Sequence, residues 1–189
     1  MGKTIGIDLG TTNTVAAIVE GQRVRILQTA SQEYSTRSVV YMSKDHEPLV
    51  GSKAFDRAGS EPESTVISPK RLVGRQYDDE NVQKAKGKYQ YPIEKNPDGT
   101  DVVIPLRGKP YTPTQIQAMI LRKVKEDAEK RLGEEVTHAV ITVPAYFDPI
   151  QKEQTRIAGE MAGFRVKTII GEPTAAAMLT AWAKTKTFH

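Results

Sequence analysis

A carboxylate at Asp8 is followed by Gly10-Thr11-Thr12-Asn13, a small, hydroxyl-rich turn that comes directly after the apolar stretch Ile5-Gly6-Ile7. Residues of these types can bind phosphate: glycine admits close approach of the backbone, successive N–H groups form an anion-binding concavity, and threonine hydroxyls add donors. Asp8 offers an oxygen suited to a hydrated Mg²⁺. The same residues also suit an ordinary hairpin turn, since strand signals flank them at 4–7 and 14–19. Three further groups stand out: Lys70 in Pro69-Lys70-Arg71-Leu72-Val73-Gly74-Arg75, Pro144 after the apolar run 139–143, and Glu172 in Gly171-Glu172-Pro173. Taken singly, Glu172 can complement a helix dipole, Pro144 can end a strand, and Lys70 can sit in a solvated basic turn. Together, a phosphate-cradling turn, a lysine and two carboxylates are the parts that phosphoryl transfer needs: charge neutralisation, metal positioning and orientation of a nucleophile. No glycine-rich stretch ends in Gly-Lys-Ser/Thr, so this is not a P-loop.

The elements that must position these groups divide the chain in two styles. Residues 4–9, 14–19, 24–27 and 38–42 read as strands of a meander, rich in β-branched residues. Between about 42 and 113 the character changes to turn clusters such as Asn96-Pro97-Asp98-Gly99 and a strand candidate at 102–106, which suggests an inserted subdomain. From Thr112 the pattern is helix, strand, helix, strand, helix. Thr112, Pro113 and Gln115 form a helix start with a capping box, and Gly133 marks the stop. The stripe Ile116, Ile120, Val124, Ala128 and Leu132 packs inward, and Arg122, Lys123, Lys125, Glu126, Asp127, Glu129 and Lys130 are expected on the solvated side. Residues 139–143 have the profile of a buried strand. Asp148 and Pro149 open a second helix that closes near Gly163, with Ile157, Ala158, Met161 and Ala162 as its expected core. A strand at 166–170 leads to an alanine-rich helix from near Thr174. This alternation predicts an α/β fold with parallel strand pairs, whose ligands gather at the carboxyl ends of the strands.

Composition narrows the function classes. At 189 residues with 38% hydrophobic content the chain can bury a proper core. Its formal charge of +4 comes from 27 basic and 23 acidic residues mixed along the sequence, so neither nucleic acid nor an anionic membrane is indicated as a partner. The absence of cysteine rules out disulfides, thiolate metal sites and thiol nucleophiles and fits a reducing compartment. The three histidines, His46, His138 and His189, are far apart, which disfavours zinc. Neither a signal pattern nor an apolar run approaching the ~20 residues that span a bilayer is present, and a cytoplasmic location is expected.

Four segments, Gly6-Ile-Asp-Leu-Gly-Thr-Thr-Asn13, Lys70-Arg-Leu-Val-Gly-Arg75, Ala139-Val-Ile-Thr-Val-Pro-Ala-Tyr-Phe147 and Gly171-Glu-Pro-Thr-Ala-Ala-Ala177, resemble in order the ATPase domain of the seventy-kilodalton heat-shock chaperones, nearest their bacterial DnaK branch. The resemblance spans nearly the whole chain. It implies an actin-like (ribonuclease H-like) ATPase in which ATP lies between two lobes, and this chain is similar to the first: a mixed sheet with flanking helices plus an inserted small α+β subdomain. Residues 1–41 and 112–189 would form the core subdomain and 42–111 the insertion. By resemblance, Asp8 holds Mg²⁺ through water, Gly10, Thr11, Thr12 and Asn13 bind the phosphates of ATP or ADP, Lys70 contacts the γ-phosphate and attacking water, and Glu172 helps order the metal's water shell. Pro144 stands where the family has a switch proline that relays nucleotide state. The family's usual arginine after Ala-Tyr-Phe is Lys152 here, which keeps the charge but lacks the planar fork. Gly171 replaces a usual asparagine and Thr168 a usual basic residue, on a face expected to meet co-chaperones. Residues 181–189 follow the family less closely.

The family's second phosphate loop, an Asp-Leu-Gly-Gly-Gly-Thr run, the adenosine-binding second lobe and the peptide-binding domain are absent from this sequence. Since this chemistry rests mostly on positioning, the chain alone is expected to hydrolyse ATP poorly or not at all. Partners implied by resemblance are J-domain co-chaperones, nucleotide-exchange factors and, through the missing domain, unfolded client peptides. The competing readings are an ATP-dependent sugar or acetate kinase of the same superfamily, an actin-like filament subunit, and a stand-alone module that binds co-chaperones.

Overall fold

The structure, a computed structural model, describes residues 2–175. In chain order it contains β1 (Lys3–Leu9), β2 (Asn13–Glu20), β3 (Arg23–Ile26), β4 (Thr36–Arg37), β5 (Val39–Met42), β6 (Pro48–Val50), α1 (Ser52–Phe55) and β7 (Thr65–Ile67). These are followed by α2 (Glu80–Lys88), β8 (Glu94–Lys95), β9 (Val102–Leu106), β10 (Lys109–Tyr111), α3 (Pro113–Leu132), β11 (Val136–Val143), α4 (Pro149–Met161) and β12 (Arg165–Gly171). The chain turns helical again over 172–175; the rest of the expected alanine-rich helix, and 181–189 with it, lie outside the described residues.

The main sheet runs β12-β11-β1-β2-β3, with β4 added to β2. β1, β11 and β12 are parallel, whereas β1, β2 and β3 form the antiparallel meander expected from the opening strands. Alternation along β1 does the essential sorting: Ile5, Ile7 and Leu9 are buried on one face, while Gly6 and Asp8 point to the other. β11 behaves the same way. Val136, Ala139, Ile141 and Val143 are buried and Val140 and Thr142 are half-exposed, so the strand expected to be buried throughout has one covered face.

The expected fourth meander strand departs from the plan. Only Thr36–Arg37 pair with β2; Val39–Met42 pair with β6 and β7 in a separate three-stranded sheet, and all four of those residues are buried. A third sheet, β10-β9-β8, lies in the same central stretch.

α3 has the predicted Thr112–Gln115 capping box and ends at Gly133. Its single apolar stripe serves two cores. Leu121, Val124 and Ala128 pack with Ile5, Ile7 and Leu9 of β1 and with Ala158 and Ala162 of α4. Ile116 and Ile120 pack instead with Val40, Met42, Val66, Leu72 and Ile104. One residue assigned to the solvated side is wrong: Asp127 is 4% exposed. It takes Lys123 Nζ on both carboxylate oxygens at 2.5 and 2.6 Å and accepts the Ala30 N–H at 3.3 Å, so a charge is tolerated under the strand loop. α4 also differs from expectation. Met161 is exposed and Ile157 half-buried, and the inward face is Gln151, Thr155, Ala158 and Gly159, small or polar groups that bring the helix close to the sheet.

A polar cluster ties the central stretch together. Glu61 accepts from Arg107 and, at 2.9 Å, from the Tyr41 hydroxyl, and the Arg107 bond, then Tyr41, hold its carboxyl below the usual carboxylate range. Because the folded-state value lies below the unfolded one, this stabilisation is complete above the ordinary glutamate range and is lost as pH falls through the depressed value. Glu61→Gln should therefore flatten the acid limb of a plot of melting temperature against pH. An unchanged acid limb would exclude that linkage.

Candidate functional site

The parallel register brings three strand ends to one rim. Asp8 on β1 pairs with Thr142 on β11, which pairs with Ile170 on β12, and Val143 pairs with Gly171 immediately before Glu172. The Thr142 hydroxyl donates to Asp8 Oδ1 at 2.8 Å and orients the carboxylate on the open face. Thr168 lies on that same face, two pairs back, opposite Val140.

Asp8 is continued by the turn between β1 and β2. The hairpin reading is correct as geometry, with Leu9 paired to Thr14. Inside it, a Cβ on Gly10 would stand 2.0 Å from the Asn13 carbonyl oxygen, so only glycine lets the turn close this tightly. Thr12 and Asn13 stay exposed and Thr11 half-buried. Ser38, which sequence reasoning missed, locks the turn from beneath. Its Oγ donates to Gly10 O at 2.8 Å and lies 3.1 Å from Thr14 Oγ1, and its N–H donates to Thr12 O at 2.8 Å. No local motif announces Ser38; the only hint is a small hydroxyl residue just ahead of an apolar strand.

Lys70 reaches this rim from the central stretch. A 3₁₀ turn over Pro69–Arg71 presents it, after Ser68 takes a left-handed conformation at φ 58°. The turn is anchored by the Ser68 N–H to Ser38 O at 3.1 Å and by the Tyr91 hydroxyl, whose pKa burial pushes up and which donates to Ile67 O at 3.0 Å. Lys70 is 4% exposed. Its Nζ donates to Leu9 O at 2.6 Å and to Glu172 Oε1 at 3.4 Å, and sits 5.4 Å from the centre of the Phe147 ring. Burial pushes the ammonium below the ordinary lysine range, while Glu172 and, more weakly, Asp8 oppose that shift. The basic segment then presses on α4. Gly74 at φ +70° would place a Cβ 2.9 Å from Gln151 Cα, and Gln151 Nε2 donates to Val73 O at 3.4 Å.

Asp8, the 10–13 turn, Lys70 and Glu172 thus converge. Pro144 is buried one residue past β11, and its carbonyl accepts the Phe147 N–H at 3.1 Å, which links the strand end to the ring beneath Lys70. Lys152 does not join them: it is exposed on α4, and among the described residues no side-chain hydrogen bond or ion pair connects it to Pro144 or to the carboxylates. The arrangement can hold an anion at the turn, place a fixed cation beside it, and flank both with two carboxylates. Among the described residues no three His, Cys, Asp or Glu side chains converge as a direct metal cage. No helix among the described residues is long and apolar enough to cross a membrane.

Comparison with known proteins shows the family to which the chain belongs. The chain matches the Hsp70 protein family over residues 4–187. It is 49% identical over 178 residues to the chaperone protein DnaK of Psychrobacter cryohalolentis, an alignment that covers 94% of this chain and 27% of that relative. The chain belongs to the Hsp70 family, and its mixed sheet with packed helices is of that family's actin-like ATPase class.

Proposed function

We propose that the chain is the first lobe of the nucleotide-binding domain of an ATP-dependent protein-folding chaperone and supplies one half of an ATP clamp. The observation that carries this reading is Lys70, buried with its Nζ between Leu9 O and Glu172 beside the turn that follows Asp8. A buried ammonium fixed at a strand end is a preorganised donor for the charge that develops on a transferring phosphoryl group. In this reading Gly10 to Asn13 cradle the phosphates, Lys70 contacts the γ-phosphate and the attacking water, and Asp8 and Glu172 hold Mg²⁺ through its waters. Mg²⁺, when bound, neutralises phosphate charge. Thr142 fixes the rotamer of Asp8, and Pro144 couples the strand end to Phe147 and so to Lys70, a route by which nucleotide state reaches the rest of a larger protein. J-domain co-chaperones, exchange factors and unfolded clients are the partners of that larger assembly.

Supplying the second lobe of a family member in trans tests the proposal. Titration calorimetry with Mg-ATP should detect no tight binding to the chain alone, and the mixture should hydrolyse ATP. Sub-micromolar affinity for the chain alone, phosphorylation of an added sugar in place of hydrolysis, or a mixture no more active than its parts would each overturn it.

A further inference from the structure

Beside Lys70 lies a cleft of about 460 Å³ between the 3₁₀ turn, α2, the 146–147 segment and Thr11. Its cations are Lys70, Arg71, Arg75, Lys84 and Lys88, and no carboxylate lines it. Three of these charges are matched nearby: Lys70 by Glu172, Arg75 by Asp79 at 2.8 Å and Lys84 by Glu80 at 2.6 Å. Arg71 and Lys88 have no carboxylate partner among the described residues, which leaves two uncompensated positive charges facing one cavity. A second observation is independent of this count. The Arg75 Nε–H is buried and has no acceptor among the described residues, although its neighbouring Nη1 is paired. A buried donor without a partner costs free energy, and an acceptor in the adjacent cleft would remove that cost.

We propose that this cleft is a second anion site, bordering the 10–13 turn at Thr11, that takes a phosphate dianion. Two excess cations match its charge, and a guanidinium N–H and lysine ammonium groups suit its oxygens. The volume accommodates the ion together with much of its hydration shell. Thr11 and Lys70 belong to the cleft wall as well as to the cradle, so the two sites share a boundary. Phosphate has two possible sources: the ion released by hydrolysis at Lys70, which rests on the proposed ATPase reading, or phosphate from solution.

The test is a titration of this chain with inorganic phosphate, at ionic strength held constant with chloride, followed by the backbone amide NMR shifts of Arg75, Lys88 and Tyr89. Saturable shifts are expected, with affinity falling at least tenfold in the double variant Arg71→Ala/Lys88→Ala and unchanged in Lys109→Ala, an exposed lysine outside the cleft. Shifts that do not saturate, or a double variant that binds like the parent chain, would overturn the site. No nucleotide is involved, so failure of the ATPase reading leaves this measurement intact. If binding is found, single-turnover hydrolysis with the second lobe in trans assigns the source. Phosphate release slowed or hastened relative to cleavage in the double variant identifies the hydrolysis product as the ligand, and release that still tracks cleavage identifies phosphate from solution.

Discussion

Lys70→Ala should lower ATP hydrolysis about 10²–10³-fold when the second lobe is supplied, the size of effect seen when one preorganised donor is removed from a developing anion. The geometry makes this loss specific to chemistry. Lys70 is almost fully buried, and its ammonium is held below its ordinary range by burial, so its removal relieves a desolvation cost as it deletes the bonds to Leu9 O and Glu172. The melting temperature should therefore change little while turnover falls. Lys70→Arg should not rescue, because a planar guanidinium cannot reproduce a compact point charge in a closed site. With the parent chain and the second lobe together, hydrolysis that depends on the ammonium should fall as pH rises through a value below the ordinary lysine range. Stopped-flow measurement of phosphate release across alkaline pH would check this, and full turnover by Lys70→Ala would refute the role given to Lys70.

Gly10→Ala should cost both nucleotide binding and stability. The added methyl would lie 2.0 Å from the Asn13 carbonyl oxygen, a backbone atom that cannot rotate away, so the turn must open. Opening it strains the contacts made by Ser38 to Gly10 O and Thr12 O, and misaligns Thr11, Thr12 and Asn13 as donors. Overpacking of this kind costs about 1–3 kcal/mol, and a domain of this size loses about 2–4 °C of melting temperature per kcal/mol. Thermal denaturation measures that loss, and calorimetry with the reconstituted pair measures the binding defect. Ser38→Ala should weaken the same turn more mildly, since it removes the support and leaves the turn's closure intact. If Gly10→Ala bound Mg-ATP as well as the parent pair, the cradle assignment would fail.

Local, periodic signals were the ones legible in the sequence. Thr112, Pro113 and Gln115 announced α3 because capping chemistry is a matter of adjacent residues, and Gly133 announced its end. The strand ends that carry Asp8, Pro144 and Glu172 were readable because an apolar run stops there at a polar or rigid residue. α2 was not foreseen: between Glu80 and Lys88 only Val82 and Ala85 are buried, too sparse a stripe to register against seven polar or small neighbours. Asp127 and Met161 were misplaced because sequence pattern ranks residues by type, whereas burial is decided by what the neighbouring element offers. A lysine at the right distance lets Asp127 go inside, and small residues on α4 draw the helix in so that Met161 is left at the edge. Ser38 and the Thr142–Asp8 bond were invisible for a related reason, since each joins residues that only the folded register brings together.

α3 carries a mechanical consequence. Its first turns are committed to one core and its later turns to another, along one continuous twenty-residue rod. The sheet that bears Asp8 and the segment that delivers Lys70 therefore cannot melt independently, because opening either one exposes apolar side chains on the shared rod. Amide exchange should show Ile116 to Ala128 opening in a single concerted event, with the energy of global unfolding. Positional precision between a carboxylate and a lysine more than sixty residues apart is then inherited from the stiffness of the rod that both cores share.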